Sequence, residues 1–242
     1  MSDTRQEFLQ NSGANIFYSE YFPADPQAPT LILLHGNGED HTYFVKQIPA
    51  FSPHFRLVLM DTRGQGQSTG GDGELNFSVF AADLLALMDH LQIVKAHLLG
   101  FSDGGNLALT FALAHPERVQ SLILNGANLE PGGVKLSTQL PIVLGYGLLS
   151  PFSHKARQNG ALLGLMVNHP HIPPQALAAL TMPALVIVGE RDMIRDRHSQ
   201  LIARSLPNAQ FVRIPGGDHF CAAKCPEVFN HAVLSFLQNL PA

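Results

Sequence analysis

The sequence predicts an α/β fold: a mostly parallel, eight-stranded sheet with helices on both faces and a small helical cap. Three observations predict it. Short apolar, β-rich runs recur along the chain, most of them separated by one helical pattern, and parallel sheets with right-handed crossovers produce that rhythm. Several runs end in glycine-rich polar loops, the kind of segment that gathers ligands beyond the C-terminal strand ends of such sheets. The rhythm then stops between residues 127 and 181, where Pro, Gly and Leu dominate and no strand is legible. At 242 residues and 45% hydrophobic, the chain is long and apolar enough for one full core. The expected division is therefore a core domain of residues 1–126 and 182–242, with 127–181 as a cap insertion.

In order, Phe8 to Gln10 and Ile16 to Tyr21 read as short strands around the turn Asn11-Ser12-Gly13, an antiparallel entry to the sheet. Thr30 to Leu34 is a continuous apolar strand ending at His35-Gly36-Asn37-Gly38, and a helical pattern through Tyr43, Phe44, Val45 and Ile48 follows. Phe55 to Met60 is the next strand. The polar loop after it holds Asp61 and Arg63, expected to pair with each other because buried polar groups must satisfy one another. Phe77 to Leu91 is a helix with ready caps at Asn76 and Ser78, and with Asp83, Asp89 and His90 free to face water. Val94 to Leu99 is a strand despite Lys95 and His97, and a helix runs from Asn106 to Ala114. Val119 to Leu124 is the sixth strand. In the cap, Ile142 to Leu149 and Lys155 to Val167 are helical, and the leucines with Tyr146 and Phe152 are expected to cover something apolar. The sheet resumes at Pro183 to Val188, a helix spans Asp196 to Ser205, and Ala209 to Ile214 is the last strand. Pro226 to Leu240 closes the chain as a helix with one apolar stripe.

Composition excludes several classes of function. The net charge is −4, from 15 basic and 19 acidic residues, and no basic run tracks phosphates, so no nucleic-acid partner is expected. No segment has 18 consecutive apolar residues, and Met1 to Glu7 lacks a signal-peptide layout, so no membrane partner and a cytoplasmic location are expected. Cys221 and Cys225 lack partners at zinc spacing and read as reduced thiols, so neither metal nor cofactor is expected. His169-Pro170-His171 reads as proline-rich loop surface. The expected state is a monomer or homodimer acting on a small-molecule, ester-type substrate.

Chemistry concentrates at Gly100-Phe101-Ser102-Asp103-Gly104, where a strand runs directly into a helix. Gly-x-Ser-x-Gly at such a junction forms a nucleophile elbow, a strained turn that tips the serine hydroxyl out of the sheet. A glycine turn holding a capping serine has the same composition, so the reading needs partners. A serine requires a base, and the base requires a carboxylate to fix its tautomer. His219 and Asp192 both sit in loops just beyond strand ends, in the order Ser, Asp, His that this architecture uses; Glu190 and Asp218 are rival carboxylates. The amide of Asp103 lies at a helix N-terminus and that of Asn37 in the His-Gly-x-Gly turn, two donors placed to hold an oxyanion. The Asp103 carboxylate is either a helix cap or a receptor for a substrate cation.

At these residues the chain resembles the α/β-hydrolase superfamily, in its serine-nucleophile, esterase- or lactonase-like branch with a short cap. The matching segments are His35-Gly36-Asn37-Gly38, Asp61-x-Arg63-Gly64-x-Gly66-x-Ser68, Gly100 to Gly105, Gly189-Glu190-Arg191-Asp192 and Gly217-Asp218-His219-Phe220. The resemblance implies the α/β-hydrolase fold, a catalytic triad of Ser102, Asp192 and His219, and an oxyanion hole from the amides of Asn37 and Asp103. It further implies cleavage of a small carboxylic ester, lactone, thioester or amide through an acyl-enzyme on Ser102. Perhydrolases and carbon–carbon bond hydrolases share these motifs, as do homologues that bind a ligand without catalysis. His-Gly-Asn is also similar to haloalkane dehalogenases, but those carry an aspartate nucleophile, and this chain has no tryptophan to hold halide. Asp218 departs from the small residue common at its position.

Overall fold

A computed structural model describes residues 4–71, 74–149 and 154–240. Its sheet has eight strands: β1 (Thr4–Asn11), β2 (Ala14–Tyr21), β3 (Thr30–Leu34), β4 (Arg56–Met60), β5 (Ala96–Phe101), β6 (Val119–Asn125), β7 (Ala184–Gly189) and β8 (Ala209–Ile214). They lie in the order β1-β2-β4-β3-β5-β6-β7-β8, antiparallel across the first two pairings and parallel thereafter. Strand β5 is thus central, and the loop after it opens between β3 and β6. The β1–β2 turn is made by Ser12 and Gly13, both at positive φ (45° and 75°), the backbone of a two-residue hairpin whose twist matches its strands. β1 is longer than its apolar residues suggest because it pairs with β2 along its full length while presenting polar side chains at the sheet edge.

Alternate residues of the parallel strands feed two cores. Ile32, Leu34, Val58, Leu98 and Leu124 face a layer formed by helices α2 (Phe77–His90), α3 (Asp103–Ala114) and α6 (Asp196–Ser205). Leu31, Leu33, Leu57, Leu99 and Ile123 face the opposite layer, formed by the short α1 (Ile48–Phe51) and α7 (Cys221–Lys224) and by α8 (Pro226–Gln238), which buries Phe229, Val233 and Phe236. Strands covered on both faces read as continuous apolar runs, which is why these were legible from sequence.

Between β6 and β7 the chain forms α4 (Leu136–Leu149) and α5 (His154–Asn168), followed by a 3₁₀ segment at Pro174–Ala179. The helix α4 begins at Leu136, six residues before its expected start, and carries Pro141 inside it, a residue that sequence patterning places outside a helix. The expectation that the leucines of residues 127–181 cover apolar surface holds for Leu129, Leu165, Leu177 and Leu180, which are buried, and not for Leu136, Leu140 and Leu144, exposed at 66%, 54% and 58%. The helix α4 is apolar around much of its circumference, so its packing against α5 leaves other apolar positions outside. Tyr146 packs on Gly164 of α5. Phe152 lies outside the described residues.

Candidate active site

The elbow is built as a crossing too tight for side chains. Ser102 has φ 52° and ψ −117°, a conformation disfavoured for any residue with a Cβ. It is held by its amide donating to Asn125 O at 2.8 Å and by its carbonyl accepting from Gly105 N at 2.8 Å and Asn106 N at 3.1 Å. A Cβ on Gly100 would stand 2.2 Å from Gly104 O, and one on Gly104 would stand 2.0 Å from Leu34 O. These two glycines let α3 fold back over β5 and against β3. Gly104 and Gly105 conceal the first turn of α3, which starts at Asp103 rather than Asn106, because glycine lowers helix propensity.

At this turn three side chains from distant parts of the chain meet. His219 Nε2 lies 3.0 Å from Ser102 Oγ, and His219 Nδ1 lies 2.7 Å from Asp192 Oδ1. A carboxylate can only accept, so the Nδ1 carries the proton and Nε2 is left to accept from the serine hydroxyl. Asp192 is held in turn: Oδ1 also accepts from Ile194 N at 2.9 Å and Oδ2 from Gly189 N at 3.4 Å. All three residues are buried, which strengthens each polar contact relative to water. The rival carboxylates do not meet the imidazole. Glu190 accepts from Gly216 N at 2.8 Å, and Asp218 pairs with Lys224 at 2.5 Å, which holds its carboxyl below the usual range.

The two predicted amides flank the same turn. Neither Asn37 N nor Asp103 N donates to a described residue, whereas the neighbouring Gly38 N is taken by Gln65 Oε1 at 2.6 Å. Of the two roles expected for the Asp103 carboxylate, helix cap or receptor for a substrate cation, the structure shows neither contact; the carboxylate is a cross-link. Oδ2 accepts from Asn37 Nδ2 at 2.9 Å and Oδ1 from Asn106 Nδ2 at 3.1 Å, because a side chain at the first helical position reaches sideways toward the β3 loop. Burial pushes this carboxyl up, and the two amide donors oppose the shift. Asn37 Nδ2 also donates to Leu162 O of α5 at 2.9 Å, and Asn106 is tied to Asn128 in both directions.

The expected Asp61–Arg63 pair does not form. Arg63 instead grips Asp83 through Nε at 2.8 Å and Nη2 at 2.6 Å, while Asp61 accepts from His41 N at 2.7 Å and Gln67 N at 2.8 Å. Asp83 is fully buried rather than water-facing; it shares the α2 face of Phe80, Leu84 and Leu87. That spacing was the available signal. Two further residues near the site carried no motif. Glu39, whose carboxyl is pushed up to about 7 by burial, and Tyr43, stacked on Phe101 with ring centroids 4.2 Å apart, each bury a polar atom without a partner among the described residues. Phe101 in turn lies 4.9 Å from the His219 ring. Cys221 and Cys225 are free thiols, with Cys221 pushed up to about 12 by burial. His169 and His171 have ring centroids 6.3 Å apart on a partly exposed irregular segment. Among the described residues, no group of three or more His, Cys, Asp or Glu side chains could hold a metal ion. No described helix is long and apolar enough to cross a membrane.

A family model described as "alpha/beta hydrolase fold" matches residues 29–173, and the chain belongs to that family. It is a hydrolase of the α/β family. The chain is 30% identical to "Putative carbamate hydrolase RutD" of Caulobacter sp. (strain K31), over 87% of this chain and 91% of that protein. It is also 30% identical to the 2-hydroxy-6-oxononadienedioate/2-hydroxy-6-oxononatrienedioate hydrolase of Cupriavidus pinatubonensis, over 88% of each. A hydrolase from Pseudomonas aeruginosa PA01 superposes with a TM-score of 0.79 at 26% identity, covering 96% of this chain and 98% of that one.

Proposed function

We propose that the protein cleaves small carboxylic esters through an acyl-enzyme on Ser102. The observation that carries this reading is the unbroken chain from Ser102 Oγ to His219 Nε2 at 3.0 Å and from His219 Nδ1 to Asp192 Oδ1 at 2.7 Å. In the first half-reaction His219 takes the serine proton as Oγ attacks the carbonyl carbon, and the amides of Asn37 and Asp103 hold the resulting oxyanion. The imidazolium then gives its proton to the departing alkoxide. Water enters, loses a proton to His219 and attacks the acyl carbon; collapse of the second oxyanion frees the acid and restores Ser102. An ester is favoured over an amide because an alkoxide asks less of the site than an amine. Residues 127–181 act as a cap over this centre, with the Asn37 bond to Leu162 O as its anchor.

A second reading, hydrolysis of a carbamate, is favoured by the 30% identity to the RutD relative. It uses the same attack on a carbonyl carbon. Turnover of p-nitrophenyl esters from acetate to decanoate beside an alkyl carbamate separates the two by kcat/KM. Fluorophosphonate labelling tests the shared core: the wild type labels and Ser102→Ala does not, with loss of turnover. A Ser102→Ala protein that keeps full turnover ends the proposal, and an unlabelled wild type without turnover makes the protein a binder.

A further inference from the structure

Five of the ten arginines, Arg191, Arg195, Arg197, Arg204 and Arg213, fall within one 23-residue window, against Arg5, Arg56, Arg63, Arg118 and Arg157 elsewhere. Two have their own partners: Arg213 pairs with Asp196, and Arg191 donates to Gly216 O at 2.7 Å. The remaining three line a cavity of about 340 Å³ beside α6, together with His198 and Glu130. None of Ser102, Asp192, His219, Asn37 or Asp103 lines it. Arg195 spends Nε on Val134 O at 3.1 Å and Arg204 spends Nη2 on Gln200 Oε1 at 2.6 Å, which leaves most of their donors open. Arg197 has no hydrogen-bond or ion-pair partner among the described residues.

The cavity also has a donor on a largely buried side chain. His198 is 7% exposed, and its Nε2 accepts from Leu129 N at 2.9 Å, so its proton sits on Nδ1. No described residue accepts from that Nδ1. Burial lowers the pKa of His198 and keeps it a neutral donor. Three guanidinium groups against one carboxylate, Glu130, leave an excess of two positive charges in a concave wall, and concave walls concentrate counter-ions. Guanidinium forks match the oxygens of phosphate and carboxylate. Leu201 adds an apolar surface, and the volume has room for a carbon skeleton beside the charged group.

We propose that this cavity is a binding site for a small organic dianion, a phosphate monoester or a dicarboxylate, held by Arg195, Arg197, Arg204 and the imidazole N–H of His198. The site is independent of the Ser102 chemistry. The test is a thermal-shift titration of the full chain with inorganic phosphate, glycerol 3-phosphate and succinate, each against sodium chloride at matched ionic strength. A saturable rise in Tm is expected. Glycerol 3-phosphate or succinate as the stronger arm identifies the phosphoryl or the dicarboxylate source, and either supports the site. In Arg197→Gln/Arg204→Gln, both exposed positions, binding weakens at least about tenfold, with the ligand-free Tm and the fluorophosphonate labelling rate unchanged. A rise matched by chloride, or one the double variant retains in full, overturns the proposal.

Discussion

Asp192→Asn tests the proposed constellation closely, because the two oxygens of this carboxylate do different work. Oδ1 accepts from His219 Nδ1 at 2.7 Å and from Ile194 N at 2.9 Å, while Oδ2 meets the Gly189 amide at 3.4 Å. An asparagine has one oxygen to place. Put at the Oδ1 position, it keeps both short bonds and sets its NH₂ against Gly189 N–H at the longer distance. Put at the Oδ2 position, it aims an NH₂ at the Ile194 amide and drives the proton of His219 onto Nε2, which can then no longer accept from Ser102. The second arrangement leaves buried donors facing one another, a penalty of about 1–3 kcal/mol, so the first prevails. The variant therefore keeps the working tautomer and loses the negative charge that stabilises the imidazolium. With an effective dielectric near 20 and roughly 4 Å between charges, that loss is about 4 kcal/mol, or about a thousandfold in kcat. The wrong tautomer would cost about ten-thousandfold. The assay is p-nitrophenyl acetate hydrolysis, normalised to sites counted by fluorophosphonate. A variant retaining more than about a tenth of wild-type kcat refutes the role given to Asp192.

Three further outcomes follow from the packing. His97 is buried on β5 with Ser121 Oγ 2.8 Å from its Nδ1, and burial lowers its pKa to about 4; the unfolded chain therefore binds a proton here between about pH 6.5 and 4 that the folded one does not, and stability falls with pH by about 3 kcal/mol. Urea unfolding should show that His97→Gln loses correspondingly less across that window, and parallel pH curves for the two proteins would contradict it. Arg63→Met leaves the fully buried Asp83 with only the Asn11 amide at 2.7 Å among the described residues, so the urea midpoint should report a loss of about 3–5 kcal/mol that Arg63→Met/Asp83→Leu partly restores. Gly104→Ala sets a methyl 2.0 Å from Leu34 O, and its destabilisation should exceed about 4 kcal/mol; a Tm within a few degrees of wild type would show that the elbow can relax.

How much of this was legible follows from which residues carry period and which carry partners. The parallel strands were readable because burial on both faces leaves no polar interruption in Leu31 to Leu34 or Leu57 to Met60. The loops holding Ser102, Asp192 and His219 were readable because they follow strand ends in a fixed order, and the structure brings these side chains together. Pairing was not readable. Arg63 could have met any acid near its loop, and proximity in sequence favoured Asp61; the choice of Asp83 depends on α2 packing against the β1–β2 turn, which no local pattern encodes. The exposure of α4 is illegible for a related reason: apolar content tells that a helix seeks cover, not how many of its faces receive it.

The cross-links around Asp103 give the proposed cap a mechanical connection to the proposed oxyanion donors. Ser102 occupies a conformation that costs about 1–3 kcal/mol in isolation, and its neighbours must hold it there. Asn125 O fixes its amide, and Asn106, locked to Asn128 of the segment after β6, supports the first turn of α3 from behind. Asn37 closes the arrangement, since one NH₂ group spans the Asp103 carboxylate and the Leu162 carbonyl of α5. Both candidate amides therefore belong to residues joined by a single hydrogen bond, and one of those residues is tied to the cap. A shift of α5 that stretched the Leu162 bond would tilt Asn37 and, through the carboxylate, pull on Asp103.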